Sequence, residues 1–445
     1  GGKGRMEAKA TMTRKPQFHL ITEDARTGAR LGSITTSRGV TADTPFGLVM
    51  TRKGLPSYLT PDNLKALSEV KGLHVCAAHF FDKKGMYPKT GRNLAELIGL
   101  AEPNSALLLL GLRDPLTFNI NMYSGASAVR NTMLSVDSDS GAKPITHEMY
   151  MDVVRRTQPD LCLSLSDEVV RNCGGKRAKR ALKRTREWLE KSVADFSTAA
   201  TGEEGSRDNE ALGSVGLVGS IFASDNLEDS VEHARVAAEI ASDEVVGFAI
   251  MGLGLRESHL ARREALQSIN KQLPKNQFRY SSGSASSPLE VLQAVECGVD
   301  VVDGSFANQL TDCGMAMVFD LNPRKEEEGS STGTAGTSAS ASVSASASAS
   351  AANMNLNLWS EEYVYDQGPL KAGCGCYTCS NGFTRGYIHH LLECRELLAE
   401  VLLESHNTYH MAQFMKTIRA HIAAGTFSEY VSAFRKNTDL FHSDQ

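Results

Sequence analysis

Short apolar runs alternate with helical stretches along the chain, and this alternation constrains the fold most strongly. Strand candidates span 106–112, 161–166, 215–222, 247–253, 278–283 and 299–305, and helix candidates between them span 147–157, 176–192, 227–241, 259–271 and 288–297. Strand starts recur about every thirty residues over the second half, the length of one strand–helix unit, so parallel strands with crossover helices are expected. Because a barrel holds more such units than most open sheets, we predict an α/β fold built on a (β/α)8 TIM-type barrel.

Acidic residues and glycines mark the carboxyl ends of the strand candidates. In a barrel these ends meet on one face, which is where active sites lie. Taken singly, each such residue is more often an ordinary cap or turn residue, but their convergence favours a shared site. The residues are Asp167, Glu168, Gly219, Gly252, Gly283 and Asp303.

A cluster of three cysteines, Cys374, Cys376 and Cys379, indicates a metal site. Three thiolates so close together, with an imidazole about one helix further on, supply the ligands of a closed tetrahedral zinc site. Buried free cysteines are the alternative, since cysteine is among the most buried residue types. The close spacing favours a Cys3His site, and we therefore predict Zn2+ as the cofactor.

The fourth ligand is expected among the histidines that follow the cysteines. They lie in a run whose apolar residues recur at helical spacing. If that helix is continuous, His390 and His406 are about 24 Å apart along it and cannot share one metal ion. Spacing alone leaves the choice open between His389, His390, His406 and His410.

Composition divides the chain into three parts. Residues 17–325 form the barrel body and include a β-rich N-terminal segment. Residues 326–356 are dominated by Ser, Ala and Gly and cannot bury enough apolar surface to order themselves, so we expect a flexible low-complexity linker. Residues 357–445 form a zinc-binding subdomain with closing helices at 411–422 and 427–434.

Composition also excludes several classes of protein. No run approaches the ~18 apolar residues of a membrane span, and the first residues contain no apolar signal region, so we expect no transmembrane segment. The nine cysteines fit a reducing compartment better than a disulfide framework. The formal net charge of -5 gives no global attraction to nucleic acid, so any such binding must be local.

One basic cluster is a candidate for local nucleic-acid binding. Residues 171–191 contain nine Lys or Arg against two Glu, a local balance of +7. Apolar residues such as Ala181, Leu182 and Leu189 fall on one face of the predicted helix, with the charges on the other. A solvated outer face is the ordinary interpretation, and contact of helix 176–191 with RNA phosphates is the alternative.

Three segments resemble the tRNA-guanine transglycosylase family. The segment from Cys374 to Cys379, with the helix after it, resembles the family's zinc signature. Residues 247–253 resemble the strand before its base-binding loop, and 287–300 resemble the helix before its nucleophile strand. The resemblance covers most of the chain. It implies a (β/α)8 barrel with a zinc insertion, His406 as the fourth zinc ligand, and a role in exchanging a tRNA anticodon guanine for queuine.

The resemblance also assigns site residues one by one. Asp303 falls where the family keeps the aspartate that attacks the ribose anomeric carbon. Asp167 falls where an aspartate hydrogen-bonds the base edge. Gly252 and Leu253 fall where backbone groups hold the base. The resemblance therefore implies Asp303 as the nucleophile candidate and the other three as substrate-binding residues.

Three departures from the family's pattern weaken the case for catalysis. The general-base motif has no match, and the segment from Ser124 to Ser127 is its nearest remnant. Gly219 stands where the family reads the base with a glutamine, and residues 307–313 contain no basic residue to grip the anticodon. General acid–base catalysis is worth about 10²- to 10⁴-fold in rate, so a lone nucleophile would be nearly inert.

These departures resemble the family's non-catalytic members, which form a heterodimer with the catalytic subunit of queuine tRNA-ribosyltransferase. We predict a catalytically silent cytoplasmic subunit that binds this partner and tRNA, with self-association as a further option. The resemblance also implies peripheral association with the mitochondrial outer membrane. One alternative is an active transglycosylase with Asp303 as nucleophile and a substitute base such as Asp114 or Asp137. Another is a zinc-stabilised RNA-binding protein without a transglycosylase partner.

Overall fold

The computed structural model describes residues 15–52, 54–81, 92–102, 105–112, 133–138, 141–170, 172–200, 211–241, 243–254, 257–283, 285–323 and 354–437. The strands are β1 (Gln17–Glu23), β2 (Arg30–Thr35), β3 (Thr41–Thr44), β4 (Phe46–Met50), β5 (Gly72–Cys76), β6 (Leu107–Gly111), β7 (Met133–Ser138), β8 (Gly141–Thr146), β9 (Leu161–Leu163), β10 (Gly216–Phe222), β11 (Val245–Met251), β12 (Phe278–Ser281), β13 (Val301–Asp303), β14 (Met315–Met317) and β15 (Asn355–Asn357). The helices are α1 (Pro61–Ala66), α2 (Leu94–Leu97), α3 (His147–Thr157), α4 (Gly175–Ala200), α5 (Leu227–Ala241), α6 (His259–Asn270), α7 (Pro288–Glu296), α8 (Ser305–Asp312), α9 (Tyr377–Ser380), α10 (Arg385–Glu393), α11 (Leu398–Ala423) and α12 (Phe427–Asn437).

Some of the sequence predictions concern residues beyond these ranges. Asp114, the segment 124–127 and residues 326–353 of the expected linker lie outside the described residues, and so does the side chain of Asp137.

Eight parallel strands close into a barrel, which confirms the predicted (β/α)8 fold. The strand order around the barrel is β4-β5-β6-β9-β10-β11-β12-β13, and β13 pairs with β4 to close it. Helices α1 to α8 follow these strands in turn, one after each. Inward-facing side chains such as Leu48, Leu109 and Val218 belong to one apolar cluster, so the barrel interior is a packed core.

Two of the barrel strands, β4 and β5, were missing from the strand candidates. Each is only five residues long. In β5, His74 interrupts the apolar run that would have indicated a strand. Burial lowers the pKa of His74 to about 4, so its ring is neutral at pH 7 and tolerates the interior. Gly111 on β6 makes room for the ring, because a Cβ there would lie 2.7 Å from its Nε2.

The N-terminal sheet closes the end of the barrel where the strands begin. Strands β1, β2 and β3 form an antiparallel sheet, and its Phe18 and Ile34 join the apolar cluster of the barrel interior. Arg30 on β2 is 1% exposed and forms an ion pair with Asp300 at 3.3 Å. Burial raises the pKa of Asp300 to about 6, although Arg30 and Arg279 favour its charged form. The opposite end, where the strands finish, is called the mouth below.

The C-terminal region packs against the side of the barrel. The apolar run after the cysteines is not one continuous helix, because the chain turns between α10 and α11 with Arg395 at φ 56°. Helix α11 lies against β4 and α8. Phe319 packs edge-on against Phe414 and Phe434, with ring centroids 5.1 and 5.7 Å apart, and so fastens α12 to α11. The three-part division of the chain remains a prediction. No helix among the described residues combines the length and apolar character of a membrane span.

Candidate functional site

The structure brings the three cysteines and one histidine to a single point. Nδ1 of His406 lies 3.7 Å from Sγ of Cys374, 3.4 Å from Sγ of Cys376 and 3.5 Å from Sγ of Cys379. All four ligand atoms lie within 4.8 Å of one another. Metal–sulfur bonds of ~2.3 Å and a metal–nitrogen bond of ~2.0 Å at tetrahedral angles put the nitrogen about 3.5 Å from each sulfur. The cluster therefore fits a tetrahedral metal ion without rearrangement.

A short helical turn positions the cysteines. Cys376 is the N-cap of α9, and its Sγ accepts the backbone N–H of Cys379 at 3.3 Å. Thr378, in the same turn, donates its hydroxyl to the carbonyl of Leu402 in α11 at 2.6 Å. This bond ties the cysteine turn to the helix that carries His406.

The second ring nitrogen of His406 determines the tautomer. Nε2 lies 2.7 Å from the carbonyl oxygen of Met317 on β14. A carbonyl oxygen only accepts, so Nε2 carries a proton, and Nδ1 is the ring nitrogen left to ligate a metal ion. Burial alone would lower the pKa of His406, but Cys374 and Cys379 outweigh it and raise the pKa to about 9. The thiol cluster thus favours positive charge at this point, which a metal ion supplies when bound.

The other three candidate histidines have different neighbours. Nδ1 of His389 lies 2.8 Å from the Leu358 carbonyl oxygen. Nε2 of His390 lies 3.7 Å from Sγ of Cys394 on the surface of α10. The His410 ring stacks on that of His406 at a centroid distance of 5.9 Å. The structure therefore brings only His406 to the three cysteines, the choice that spacing alone left open.

Polar side chains flanking the histidine ligand join the metal centre to the barrel. Asn407 donates its amide to Oγ1 of Thr311 at 3.0 Å. Glu404 accepts the amide of Asn308 at 2.6 Å, and Oδ1 of Asn308 accepts the backbone N–H of Met50 at 3.3 Å. Thr311 and Asn308 belong to segment 307–313, which contains no basic residue. That segment forms most of α8 and packs on α11.

Asp303 ends β13 at the barrel mouth and is 1% exposed. Its Oδ2 accepts the backbone N–H of Gly283, and its Oδ1 accepts the hydroxyl of Ser305 at 2.8 Å. Burial raises the pKa of the Asp303 carboxyl, and the hydrogen bonds from Ser305 and Gly283 oppose that rise. The carboxyl group is therefore held in one orientation by the loop after β12 and by the first residue of α8.

The loops after β11 and β12 meet backbone to backbone. Gly252, Gly254 and Gly283 have φ values of 86°, 77° and 79°, in the left-handed region that favours glycine. A Cβ on Gly254 would overlap the carbonyl oxygen of Gly283. Leu253 between them is buried. Because Gly283 also contacts Asp303, the structure places Gly252 and Leu253 in the loop next to the one that holds this carboxyl group.

Asp167 follows β9 and is enclosed by helix α4. Its two carboxylate oxygens accept hydrogen bonds from Arg177 at 2.8 Å each, and Oδ2 also accepts one from Arg184 at 2.9 Å. The hydroxyl of Thr185 accepts the backbone N–H of Asp167 at 3.0 Å. Asp167 is 1% exposed. Both oxygens of the predicted base-binding carboxylate are thus occupied by guanidinium groups of the basic cluster.

The structure places Gly219 within β10 and not at the strand end that the sequence predicted. Gly219 lies within β10, and a Cβ there would point at Phe248 and Leu189, 3.0 and 3.3 Å away on the helix side. Phe222, at the end of β10, is 2% exposed and packs in an apolar cluster with Ala181 and Leu182 of α4. Its ring lies so close to Gly252 that a Cβ there would be 2.6 Å away. A phenyl ring offers no hydrogen bond to a base edge.

The sequence profile of the queuine tRNA-ribosyltransferase family matches residues 24–439. The chain belongs to this family. A human relative named queuine tRNA-ribosyltransferase accessory subunit 2 is 30% identical over 405 residues, which cover 88% of this chain and 93% of that protein. Proteins of the same name from Xenopus laevis and Schizosaccharomyces pombe are 28% and 26% identical. Each covers 92% of this chain, and the matches span 97% and 81% of those proteins.

In this member of the queuine tRNA-ribosyltransferase family, the metal centre and the mouth differ in chemical capacity. Four protein ligands leave a tetrahedral ion no open position, so the centre can hold the fold together but can neither activate water nor bind substrate. At the mouth, hydrogen bonds hold the carboxyl group of Asp303 in one orientation. Asp167 is paired internally, and Phe222 has no polar atom. Asp303 is therefore the candidate for covalent chemistry at the mouth.

Proposed function

We propose that this chain is the non-catalytic subunit of a queuine tRNA-ribosyltransferase heterodimer. It binds a catalytic subunit and tRNA, and the catalytic subunit exchanges guanine for queuine in the anticodon. The accessory-subunit name shared by relatives that align over most of their length supports this role. The structural observation that carries it is the pairing of Asp167 with Arg177 and Arg184. If that carboxylate turned toward a base, the guanidinium of Arg184, whose side chain is 5% exposed, would be left buried without a counter-charge.

The mouth also lacks other groups that a transglycosylase needs. Gly219 stands where the family resemblance assigns a base-reading glutamine, and a pocket without its polar partner discriminates poorly among bases. Helix α8 uses Asn308 and Thr311 to hold α11, so these side chains are not directed at RNA. In this proposal Asp303 is a vestigial nucleophile, and Asp167, Gly252 and Leu253 are remnants of the base-binding site.

The ion held by the Cys3His cluster is zinc in this proposal. Three thiolates and an imidazole are soft donors that suit Zn2+, and the ligand separations suit its tetrahedral geometry. Cys374, Cys376 and Cys379 would bind it as thiolates and His406 through Nδ1. Its contribution is structural, because it joins the cysteine turn to α11 and, through the Met317 carbonyl, to β14.

The catalytic subunit is proposed to dock on the zinc-binding subdomain. Of ten exposed large hydrophobic side chains in the described chain, seven lie between residues 359 and 398. They include Tyr365, Tyr377 and Leu397, which are 89%, 55% and 66% exposed. Such a concentration of exposed apolar side chains is typical of a protein-binding surface. The same surface would serve any self-association of two copies.

An exchange assay tests the proposed role directly. The purified chain alone should fail to incorporate labelled queuine or guanine into tRNA, and adding it to the catalytic subunit should give activity. The double variant Tyr365→Ser and Leu397→Ser should lose co-purification with the catalytic subunit. The matched variant Ile21→Ser and Leu260→Ser, at side chains 57% and 79% exposed elsewhere, should keep it. Robust exchange by the isolated chain would overturn the proposal.

The oriented carboxyl group of Asp303 supports one second candidate, an active transglycosylase. In that case the isolated chain would form a covalent adduct with tRNA, and Asp303→Ala would abolish it. We expect no adduct from the isolated chain, and we expect the heterodimer to keep its exchange rate when this chain carries Asp303→Ala. Denaturing gel analysis of labelled tRNA separates the two outcomes.

We also propose a cytoplasmic location. Only reduced cysteines ligate a metal, so the Cys3His cluster requires a compartment that keeps thiols reduced. Peripheral association with the mitochondrial outer membrane rests on the family resemblance. Cell fractionation with a salt wash would release a peripheral protein from mitochondria and leave a cytoplasmic one in the supernatant throughout.

A further inference from the structure

We propose that the exposed face of α4 binds the phosphate backbone of tRNA. The inference rests on the proposed function, which supplies the tRNA, and it adds the surface that holds it. This surface, called the basic face below, consists of the exposed side chains of Lys176, Lys179, Arg180 and Lys183. At 3.6 residues per turn these four positions fall within an arc of about 100°, and they span about 10 Å along the helix axis.

The arginines and lysines of α4 have different surroundings. Arg177 and Arg184 turn inward to Asp167, and their side chains are 24% and 5% exposed. A guanidinium suits this role because its planar fork matches a carboxylate. The bidentate pair from Arg177 fixes the rotation of α4 about its axis. The buried ion pairs with Asp167 therefore orient the basic face toward solvent.

Much of the charge on the basic face is not neutralised within the described chain. Lys183 lies 3.7 Å from Glu187, a long separation for an ion pair between side chains that are 67% and 45% exposed. Arg186 is similarly placed relative to Glu190, at 3.8 Å. No carboxylate of the described residues lies within ion-pair distance of Lys176, Lys179 or Arg180. In a chain of net charge -5, such a local excess of positive charge favours a polyanionic partner.

The basic face lies at the rim of the barrel mouth. The loop that leads into α4 contacts the loop after β10, where the backbone N–H of Asn172 bonds to Oδ2 of Asp225 at 2.5 Å. Ala178 lines the same recess as Phe222 and Gly252, which belong to the mouth. Barrels bind substrates at this end, so a nucleic acid held here would follow the usual approach to the fold.

RNA fits the basic face better than an anionic membrane does. Helices that lie on membranes place Trp, Phe or Leu beside their basic residues. None of the ten exposed large hydrophobic side chains of the described chain belongs to α4. Leu182 and Leu189, its large aliphatic residues, are buried against the barrel. The face offers charge without an apolar anchor, which suits a phosphate backbone.

The test measures tRNA binding by the heterodimer with fluorescence anisotropy over a range of salt concentrations. The probe is an unmodified tRNA transcript, and the variant combines Lys176→Gln, Lys179→Gln and Arg180→Gln. Each lost phosphate contact reduces the slope of log K against log salt by about 1, so three reduce it by about 3. We expect affinity to fall on the order of 10- to 100-fold. The matched control replaces three exposed lysines at the opposite end of the barrel by Gln, at Lys65, Lys271 and Lys275.

Vesicle binding and co-purification with the catalytic subunit are measured in parallel for the variant and the control. An unchanged affinity and salt slope in the variant would overturn the inference, and so would an equal loss in the control. The inference also fails if the variant loses binding to phosphatidylserine vesicles while binding tRNA normally, since the face would then be a membrane surface. Co-purification with the catalytic subunit should be the same for variant and control. Failure of the unmodified chain to pair would instead overturn the proposed function.

Discussion

Replacing Asp167 by Asn should destabilise the fold severely. Asn keeps the size of the side chain but removes the charge that three hydrogen bonds from Arg177 and Arg184 neutralise. Arg177 is 24% exposed and can be hydrated, whereas Arg184 is 5% exposed and cannot. Breaking a buried ion pair by removing one partner costs about 3–5 kcal/mol, because the other charge remains buried. We expect Asp167→Asn to lower the free energy of unfolding by about this amount.

Urea unfolding followed by tryptophan fluorescence is a suitable assay. Trp188 reports on the region, because the Arg184 guanidinium lies 5.7 Å from the centroid of its ring. Adding Arg184→Met to Asp167→Asn should recover most of the loss, since it removes the stranded charge. Asp303→Asn is the matched control. Its carboxyl group is equally buried but accepts hydrogen bonds from Gly283 and Ser305 without a described cation partner, so a loss of only about 1 kcal/mol is expected.

Two results would refute this reasoning. A loss below about 1 kcal/mol in Asp167→Asn would mean that the carboxylate is not enclosed by the arginines and can face a ligand. Failure of Arg184→Met to restore stability would mean that the loss has another cause than a stranded charge. Either result would return Asp167 to the base-reading role that the family resemblance implies.

Two further predictions concern the metal centre and the α4–α5 contact. Cys376→Ser should lose zinc and partner binding together, as measured by metal analysis and co-purification, and intact pairing without zinc would count against a structural role for the ion. Burial and Arg186 lower the pKa of His233 from 6.5 to about 4, so this neutral histidine contributes stability that is lost as pH falls from 6.5 toward 4. Lowering the pH from 7 to 5 should reduce the free energy of unfolding of the unmodified chain. The reduction should be about 2 kcal/mol smaller in His233→Leu, and equal reductions would exclude this role.

The sequence predicted the barrel because its signal is repeated. Alternating strand and helix patterns recur many times, so one missed element does not change the conclusion. Of the missed strands, β4 and β5, β5 carries His74 where an apolar residue was expected. Such a residue is tolerated because burial removes its charge, and burial depends on neighbours such as Gly111 that are distant in sequence. Local periodicity contains no information about those neighbours.

At the candidate site, residue spacing predicted that cysteines and a histidine lie together. It did not predict the hydrogen-bond and ion-pair partners of the other site residues. Three cysteines within a few residues of one another made a metal site the natural expectation. The choice of histidine depended on where the chain turns, and Arg395 with its positive φ sets that turn. Gly219 was taken for a strand-end residue, although the strand candidate 215–222 already extended to Phe222, where β10 ends. The ion pairs of Asp167 could not be predicted, since helical periodicity does not specify which arginines turn toward the barrel.

Under the proposed function, the side chains that do not serve catalysis instead make contacts within the chain. The positions that the family resemblance assigns to substrate contacts are occupied by contacts within the chain. Asp167 pairs with α4, and segment 307–313 forms most of α8, whose Asn308 and Thr311 hold α11. A side chain cannot serve both purposes, because releasing it for RNA would leave a buried partner unsatisfied. RNA contact is therefore expected from side chains with no ion-pair partner among the described residues, and on the basic face these are Lys176, Lys179 and Arg180.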